Sequence, residues 1–498
     1  MNRSKPCGPS GDEPAPGRRG TCRPAHEERT AKLARNAHST ANEQRFDWPI
    51  CYDAENLLLN RIQAFLAHNK FASRFSDRLR LETGTLLIDW TDDLVLSADA
   101  ESALRNVGFT EDPLGETPVH PQTTLWHPEA VLPRVILDHA LPQAEYPQRL
   151  AIHVDNICDF MAAQGLTGKP EGEPLSRFRR IAVSLENDTC FEAVERRGYR
   201  GWVPEPANPR RVQAALQAHQ LWKTRRRIFT EDDEGFHQTR ALLDRVIALV
   251  GRDLACHIVF AEERGYWERR NRAAQLQKRR QDRLGLGWSN HDHHTFRSSR
   301  AHFVELMLVL EKLGFERRER FYAGAQAGWG AQILEQRVEG LVAFCDVDLE
   351  PGETEIDFSR HRLSHSGRLG TIGLWVGLHG ESFLDAGMHH LECRFDHDLL
   401  REQLADQSVG TMKPFSDFPF LKQAFTEGEL WPVRRERVER LLRAGLIDDR
   451  QFNQFLNEGA IGSHLENLQR KGGFKGFNQK SVSAIIQATD PRAQGRAA

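Results

Sequence analysis

No apolar run in the 498-residue chain approaches the roughly 20 residues that a membrane-spanning helix requires, so no membrane-embedded protein is expected. The N-terminus also lacks the apolar stretch of a secretory signal, which makes a cytoplasmic location the expectation. Cys7, Cys22, Cys51, Cys158, Cys190, Cys256, Cys345 and Cys393 are scattered, and none is spaced as CxxC. That pattern excludes a zinc ribbon or a disulfide frame and leaves reduced thiols. The net charge is only -3, so nothing draws the whole chain to nucleic acid. What is present in quantity is apolar residue, 39% of the chain, enough for real cores in two or three domains.

Residues 1–45 are rich in Pro, Gly, Arg, Ala and Ser without hydrophobic periodicity, which predicts a disordered tail. Residues 46–260 read as an α/β region. The pattern predicts an amphipathic helix over 56–75, a strand pair over 85–96, a strand turning into a helix over 149–161, a loop over 165–173 and mostly helix over 212–250. It holds no catalytic motif. His153 lies in the apolar segment Leu150-Ala151-Ile152-His153-Val154-Asp155, and a lone histidine there is more often packed than ligating. Residues 261–286 form a basic stretch that includes Arg269, Arg270, Arg272, Lys278, Arg279 and Arg280. Such a helix could grip phosphates, but Glu262, Glu263, Glu268 and Asp282 interleave, and Tyr266, Trp267 and Leu276 supply a packing side. The expectation is a solvated linking helix, with Gly285 and Gly287 marking the start of a domain over 287–492.

That domain carries the chemistry. Asn290-His291-Asp292-His293-His294-Thr295-Phe296-Arg297 is echoed about a hundred residues later by Met388-His389-His390-Leu391-Glu392-Cys393-Arg394-Phe395. Side chains on a strand alternate between faces. His293, Thr295 and Arg297 therefore share a polar face, as do His390, Glu392 and Arg394, whereas His389, Leu391, Cys393 and Phe395 form an apolar row. His293 and His390 are the better ligand candidates, with His294 and His389 as the alternatives. Each pair is followed by a helix signal: Ser298 and Ser299 before Phe303, Leu306, Met307, Leu310 and Leu313, ending at Gly314; then Asp396 before Leu399, Leu400 and Leu404, ending at Gly410. Strand, helix, glycine and further strands is the order of a βαβββ module, and two such modules make a curved mixed sheet with a metal in its hollow. This resembles the vicinal oxygen chelate superfamily and gives an α+β fold class.

An open catalytic site needs a carboxylate as well, and Gly462-Ser463-His464-Leu465-Glu466-Asn467-Leu468-Gln469-Arg470 offers Glu466, with Arg470 on the same side of the strand to orient it. Two histidines and one carboxylate are the facial triad of non-haem Fe(2+) oxygenases, which leaves positions for substrate and O2.

At these residues the chain is similar to the 2-oxoadipate dioxygenase/decarboxylases, also called hydroxyglutarate synthases. The Asp-His-x-x-x-Arg motif of that family is matched by Asp292, His293 and Arg297, its second histidine by His390, and its Glu-x-x-x-Arg-x-Gly motif by Glu466, Arg470 and Gly472. Gly410-Thr411-Met412-Lys413-Pro414, Gly473-Phe474-Lys475-Gly476-Phe477 and residues 485–490 also look similar. The resemblance covers roughly 288–492. It departs in the long N-terminal region, in His294 and in an acidic loop over 346–357.

The resemblance implies Fe(2+) held by His293, His390 and Glu466. It also implies a 2-oxo acid whose carboxylate Arg297 grips, and its conversion with O2 to a 2-hydroxy acid and CO2. A glyoxalase-like isomerase, a ring-cleaving dioxygenase and a non-catalytic ligand-binding protein are the competing expectations.

Overall fold

The computed structural model describes residues 48–115, 122–206, 208–322, 328–478 and 482–493, so the tail expected over 1–45 lies outside the described residues. The helix expected over 56–75 is two helices, Tyr52–His68 and Lys70–Thr83. Asn69 breaks them: its backbone is extended and its side chain accepts from Ala72 N, which caps the second helix. The strand pair expected over 85–96 is a 3-10 turn, Leu87–Asp89, and one strand. Elsewhere in this half the strand and helix over 149–161 and the helices Pro209–Lys223 and Asp232–Val250 form where periodicity puts them.

Two mixed sheets organise the chain, and the architecture is α+β. The first comprises β1 (Thr91–Ser97), β2 (Thr110–Glu111), β3 (Gln122–Trp126), β4 (Arg134–Asp138), β5 (Arg149–His153), β6 (Phe178–Glu186) and β7 (Thr189–Arg196), in the order β2-β3-β4-β1-β5-β7-β6. The second comprises β8 (His291–Arg297), β9 (Glu316–Tyr322), β10 (Trp329–Gln336), β11 (Leu341–Asp348), β12 (His390–Arg394), β13 (Thr411–Phe418), β14 (Leu421–Thr426) and β17 (Leu465–Arg470). Their order is β13-β14-β17-β12-β8-β11-β10-β9. A small pair, β15 (Glu429–Trp431) and β16 (Ala460–Ser463), stands apart.

The second sheet reads outward from its middle in the same way on both sides. β8 pairs with β11 in parallel, β12 pairs with β17 in parallel, and β8 and β12 meet antiparallel. Each half is thus ordered first strand, fourth, third, second. One face packs under the helices Phe303–Lys312 and His397–Ala405, where Phe296, Leu306, Leu310, Cys345, Leu391, Cys393, Leu400 and Leu404 are fully buried. The opposite face carries the polar residues of β8 and β12.

The 261–286 stretch is not a solvated linker. It falls in two packed helices, Arg252–Glu268 and Arg272–Asp282, separated by Asn271, whose side chain caps the second. Trp267, Gln277 and Gln281 are fully buried, and Trp267 Nε1 donates to Ser463 Oγ at 2.5 Å. Part of its charge is engaged inside the protein: Glu263 accepts from Arg225 at 2.6 Å, Arg227 at 2.8 Å and Trp222 Nε1 at 2.9 Å, and Arg270 stacks over Tyr266 and Trp431, while Arg269, Arg272, Arg279 and Arg283 stay exposed. The acidic loop expected over 346–357 begins inside β11. Asp346 pairs with Arg297, and Asp348 accepts from the backbone of Ile372 and Gly373.

Candidate metal centre

Five neighbouring strands build the site. Alternation puts His293, Thr295 and Arg297 of β8 on the face away from the helices, with His390 and Glu392 of β12. Antiparallel register sets Glu392 opposite His293 and His390 opposite Thr295, and parallel register sets Glu392 beside Glu466 of β17. With Gln423 and Phe425 of β14 and Phe344 of β11 these residues line a cavity of about 40 Å³.

The side chains converge inside it. His293 Nε2 lies 3.2 Å from Glu392 Oε1, His390 Nε2 contacts the same oxygen, and His390 Nε2 is 3.6 Å from Glu466 Oε2. Donor atoms of His293, Glu392 and Glu466 lie within 4.8 Å of one another. The structure therefore brings His293, His390 and Glu466 together and adds Glu392, which the sequence had placed on the His390 face without giving it a role. His464 is a second addition. It sits two residues before Glu466, its ring 4.4 Å from that of His390, and the same alternation signals it.

All of these groups are at most 7% exposed, and burial sets their charge. Burial pushes the imidazoles of His293 and His390 down, so both are neutral and offer lone pairs. Burial pushes Glu466 up to about 7, and burial together with Glu466 pushes Glu392 well above the usual carboxylate range. Glu392 Oε2 is buried without a hydrogen-bond partner among the described residues. Two adjacent buried carboxylates and two neutral imidazoles form a donor set that lacks only a cation, and its nitrogen and oxygen donors suit a first-row divalent ion. A metal fits.

Neighbours hold the donors in place. His293 Nδ1 lies 2.9 Å from Asp292 Oδ1, and Asp292 takes Arg470 Nε and Nη2, each at 2.9 Å. Burial raises the Asp292 carboxyl, but Arg470 and His293 outweigh it and hold it well below the usual range. Glu466 accepts from Gln423 Nε2 at 2.5 Å, and Glu392 accepts from Thr295 Oγ1 at 2.8 Å. Arg470 thus orients Asp292, and not Glu466 as the sequence spacing suggested. Four residues along an extended strand span about 13 Å, so the two side chains share a face but are too far apart to meet.

Arg297, 2% exposed, lines the same cavity and reaches Asp346 Oδ2 through Nε at 3.3 Å. Its Nη1 and Asp346 Oδ1 are buried and unpartnered among the described residues, so half of the guanidinium fork is unused. His294 lies on the other face, whereas His389, just before β12, has donor atoms within 4.8 Å of those of His390 and His464, with its ring 4.5 Å from that of His390. His294 meets Arg264 at 3.4 Å and the edge of Phe260, and His389 Nδ1 engages Gly462 O at 3.1 Å with its ring edge-on to Trp375. His153 is far along the chain's first sheet and lines a different cavity.

No family model and no curated protein matches this chain. Among solved structures it is similar to a mutant of 4-hydroxymandelate synthase from Streptomyces coelicolor, with 12% identity, 82% of this chain and 99% of that chain covered, and a TM-score of 0.28. Methylmalonyl-CoA epimerase from Mycobacterium tuberculosis is 13% identical over 36% of this chain and 88% of that one, with a TM-score of 0.21. The uncharacterized protein YdcJ from Shigella flexneri, which includes domain DUF1338, is 10% identical over 57% of this chain and 84% of that one, with a TM-score of 0.23. Likenesses of this depth carry no argument about activity, which rests on the geometry.

Proposed function

We propose that the chain is a non-haem Fe(2+)-dependent dioxygenase of the vicinal oxygen chelate type that converts a 2-oxo acid, O2 being consumed and CO2 released, to the 2-hydroxy acid one carbon shorter. One observation carries this reading. His293, His390 and Glu466 converge from both sides of the β8–β12 seam on one small cavity, with a half-engaged arginine in its wall. The identical strand order on the two sides of that seam supports paired βαβββ modules.

In this proposal His293, His390 and Glu466 hold the iron, which when bound supplies the redox chemistry that couples O2 to oxidation of the 2-oxo group. The reaction balances without a further reductant, since both oxygen atoms end in the two products. Arg297 offers its free Nη1 to a substrate carboxylate, a two-point grip if Asp346 yields. Asp292 and Arg470 keep the His293 ring oriented through Nδ1. Phe344, Phe425, Phe477, Ile485 and Ile486 line the cavity and exclude water.

Glu392 favours a second reading. A fourth donor beside the triad leaves two open positions on a six-coordinate ion where the triad alone leaves three, which suits a glyoxalase-like isomerase better than an oxygenase that must hold both a chelating substrate and O2. Oxygen uptake separates the two: iron-loaded protein with 2-oxoadipate should consume O2 and release CO2 in equal amounts, and zinc, which has no redox chemistry, should give none. Turnover with zinc and without oxygen would favour the isomerase.

A further inference from the structure

A second cavity, about 260 Å³, lies between the two sheets, and Phe477 forms part of its wall and part of the wall of the metal cavity. Its lining is unbalanced in charge, with seven arginine and lysine side chains against five carboxylates. Three of the cations are spoken for by lining carboxylates: Arg470 by Asp292, Arg200 by Asp112 at 2.6 Å and Arg134 by Asp92 at 3.4 Å. Arg394 is different. It makes no ion pair among the described residues, and its Nε is buried without a hydrogen-bond partner. Lys475 is 8% exposed; its Nζ donates to Pro128 O at 3.2 Å and lies over the Trp48 ring, and its one ion-pair carboxylate among the described residues, Glu335, is distant at 3.8 Å. Arg337, on the exposed rim, makes no ion pair among the described residues either.

Arg394 is half-buried and Asp89 in the same lining feels its charge without pairing with it, so its buried Nε keeps an unused donor for which a bound carboxylate is the natural bidentate partner. The spacing adds a second condition. Arg394 belongs to β12 and Arg337 lies just beyond β10, with β8 and β11 between them, so the two backbones stand about 14 Å apart at roughly 4.8 Å per strand. Long side chains reaching inward from both ends leave a gap suited to a short chain with an acid at each end. Trp90, Trp126 and Leu132 supply apolar wall for its methylenes.

We propose that this cleft is a receptor site for a small aliphatic dicarboxylate, held by Arg394 at its inner end and by Lys475 and Arg337 at its outer end, with Phe477 between it and the metal cavity. The excess positive charge would also draw such an anion in from solvent. The choice of an acid rests on the 2-oxo acid reading above, and the site gives the N-terminal sheet a share in capturing the substrate.

The test uses the full chain prepared without metal, titrated calorimetrically with glutarate and, separately, with inorganic phosphate. Glutarate should bind once per chain, more weakly as salt rises. Arg394→Gln and Arg337→Gln should each weaken it by about tenfold, the loss expected of one charge-assisted contact. Glu466→Gln, in the metal cavity, should leave glutarate affinity within about twofold. If Arg394→Gln fails to fold by circular dichroism, Arg337→Gln on the rim decides alone. The proposal is overturned if glutarate does not saturate, if phosphate binds and glutarate does not, if the arginine variants bind as the parent does, or if Glu466→Gln abolishes binding. Intact glutarate binding in a protein that consumes no O2 with iron would sink the dioxygenase and leave this site standing.

Discussion

At the scale of single residues, the question is which histidine of each pair faces the candidate metal cavity. His293 and His390 share the polar face with Glu466, whereas His389 is tied to Gly462 O and wedged against Trp375. His293→Ala, His390→Ala and Glu466→Ala should each strip most of the iron from a protein that still folds, measured as metal per chain after gel filtration. His389→Ala should instead lower stability, by about 1 to 3 kcal/mol for a lost buried hydrogen bond, and leave metal content near that of the parent. Iron retained in His390→Ala but lost in His389→Ala would reverse the assignment. Arg297→Lys separates substrate binding from metal binding: it should keep iron yet raise the KM for the 2-oxo acid about tenfold or more, because an ammonium cannot present a two-point fork. An unchanged KM would remove Arg297 from the substrate site.

At the scale of elements, period-two alternation made the polar face of β8 and β12 legible, and helical spacing plus the Asp396 cap made the two flanking helices legible. Pairings between distant segments were not. Asp292 and Arg470 are 178 residues apart, and nothing local marks them as partners. The first sheet was obscured because β2 has two residues and β1 meets β5 through a register shift, which blurs alternation. The basic stretch misled for a related reason, since Glu263 inside it faces Arg225 and Arg227 from an earlier segment. That cluster has a pH signature. Burial raises the Glu263 carboxyl, but Arg225 and Arg227 outweigh it and hold it at about 2, while burial brings Arg225 down only to about 10, so Arg225 stays charged in acid. A folded-state pKa below the unfolded value means stability that is present above pH 4.5 and lost as pH falls toward 2. The loss amounts to about 3 kcal/mol. Glu263→Gln should be less stable at pH 7 and should flatten this acid limb in urea unfolding. An acid limb identical to the parent's would show that other carboxylates dominate it.

At the scale of the whole molecule, the first sheet repeats the register of the second without its chemistry. Asp93, Ala151 and Glu192 stand side by side on β1, β5 and β7 as His293, Glu392 and Glu466 do on β8, β12 and β17. Arg149, two residues before Ala151 as His390 is before Glu392, reaches Asp93 at 3.1 Å and Glu192 at 3.5 Å, so a guanidinium stands between the carboxylates of that sheet. Arg149→Met should cost roughly 3 kcal/mol, the lower end for one partner of a buried pair, without changing metal content. A drop in iron on that substitution would place the metal in the wrong sheet. The two halves are not independent, because the loop after β17 is held from the other half. Cys51 N donates to Gly472 O at 2.7 Å, Val131 N to Gly473 O at 2.8 Å, and Gly472 N to Glu55 at 2.8 Å. That loop in turn supplies the Phe474 and Gly476 carbonyls that fix Arg470, and it carries Phe477 against the edge of His293 at 4.8 Å. A chain cut to residues 285–492 retains every donor but loses this hold. It should therefore bind Fe(2+) at least tenfold more weakly than the full chain, the loss typical when groups that orient metal ligands are disturbed. Equal affinity in competition with a chelator would mean that the C-terminal half is self-sufficient and that the N-terminal half contributes nothing to the order of the metal site.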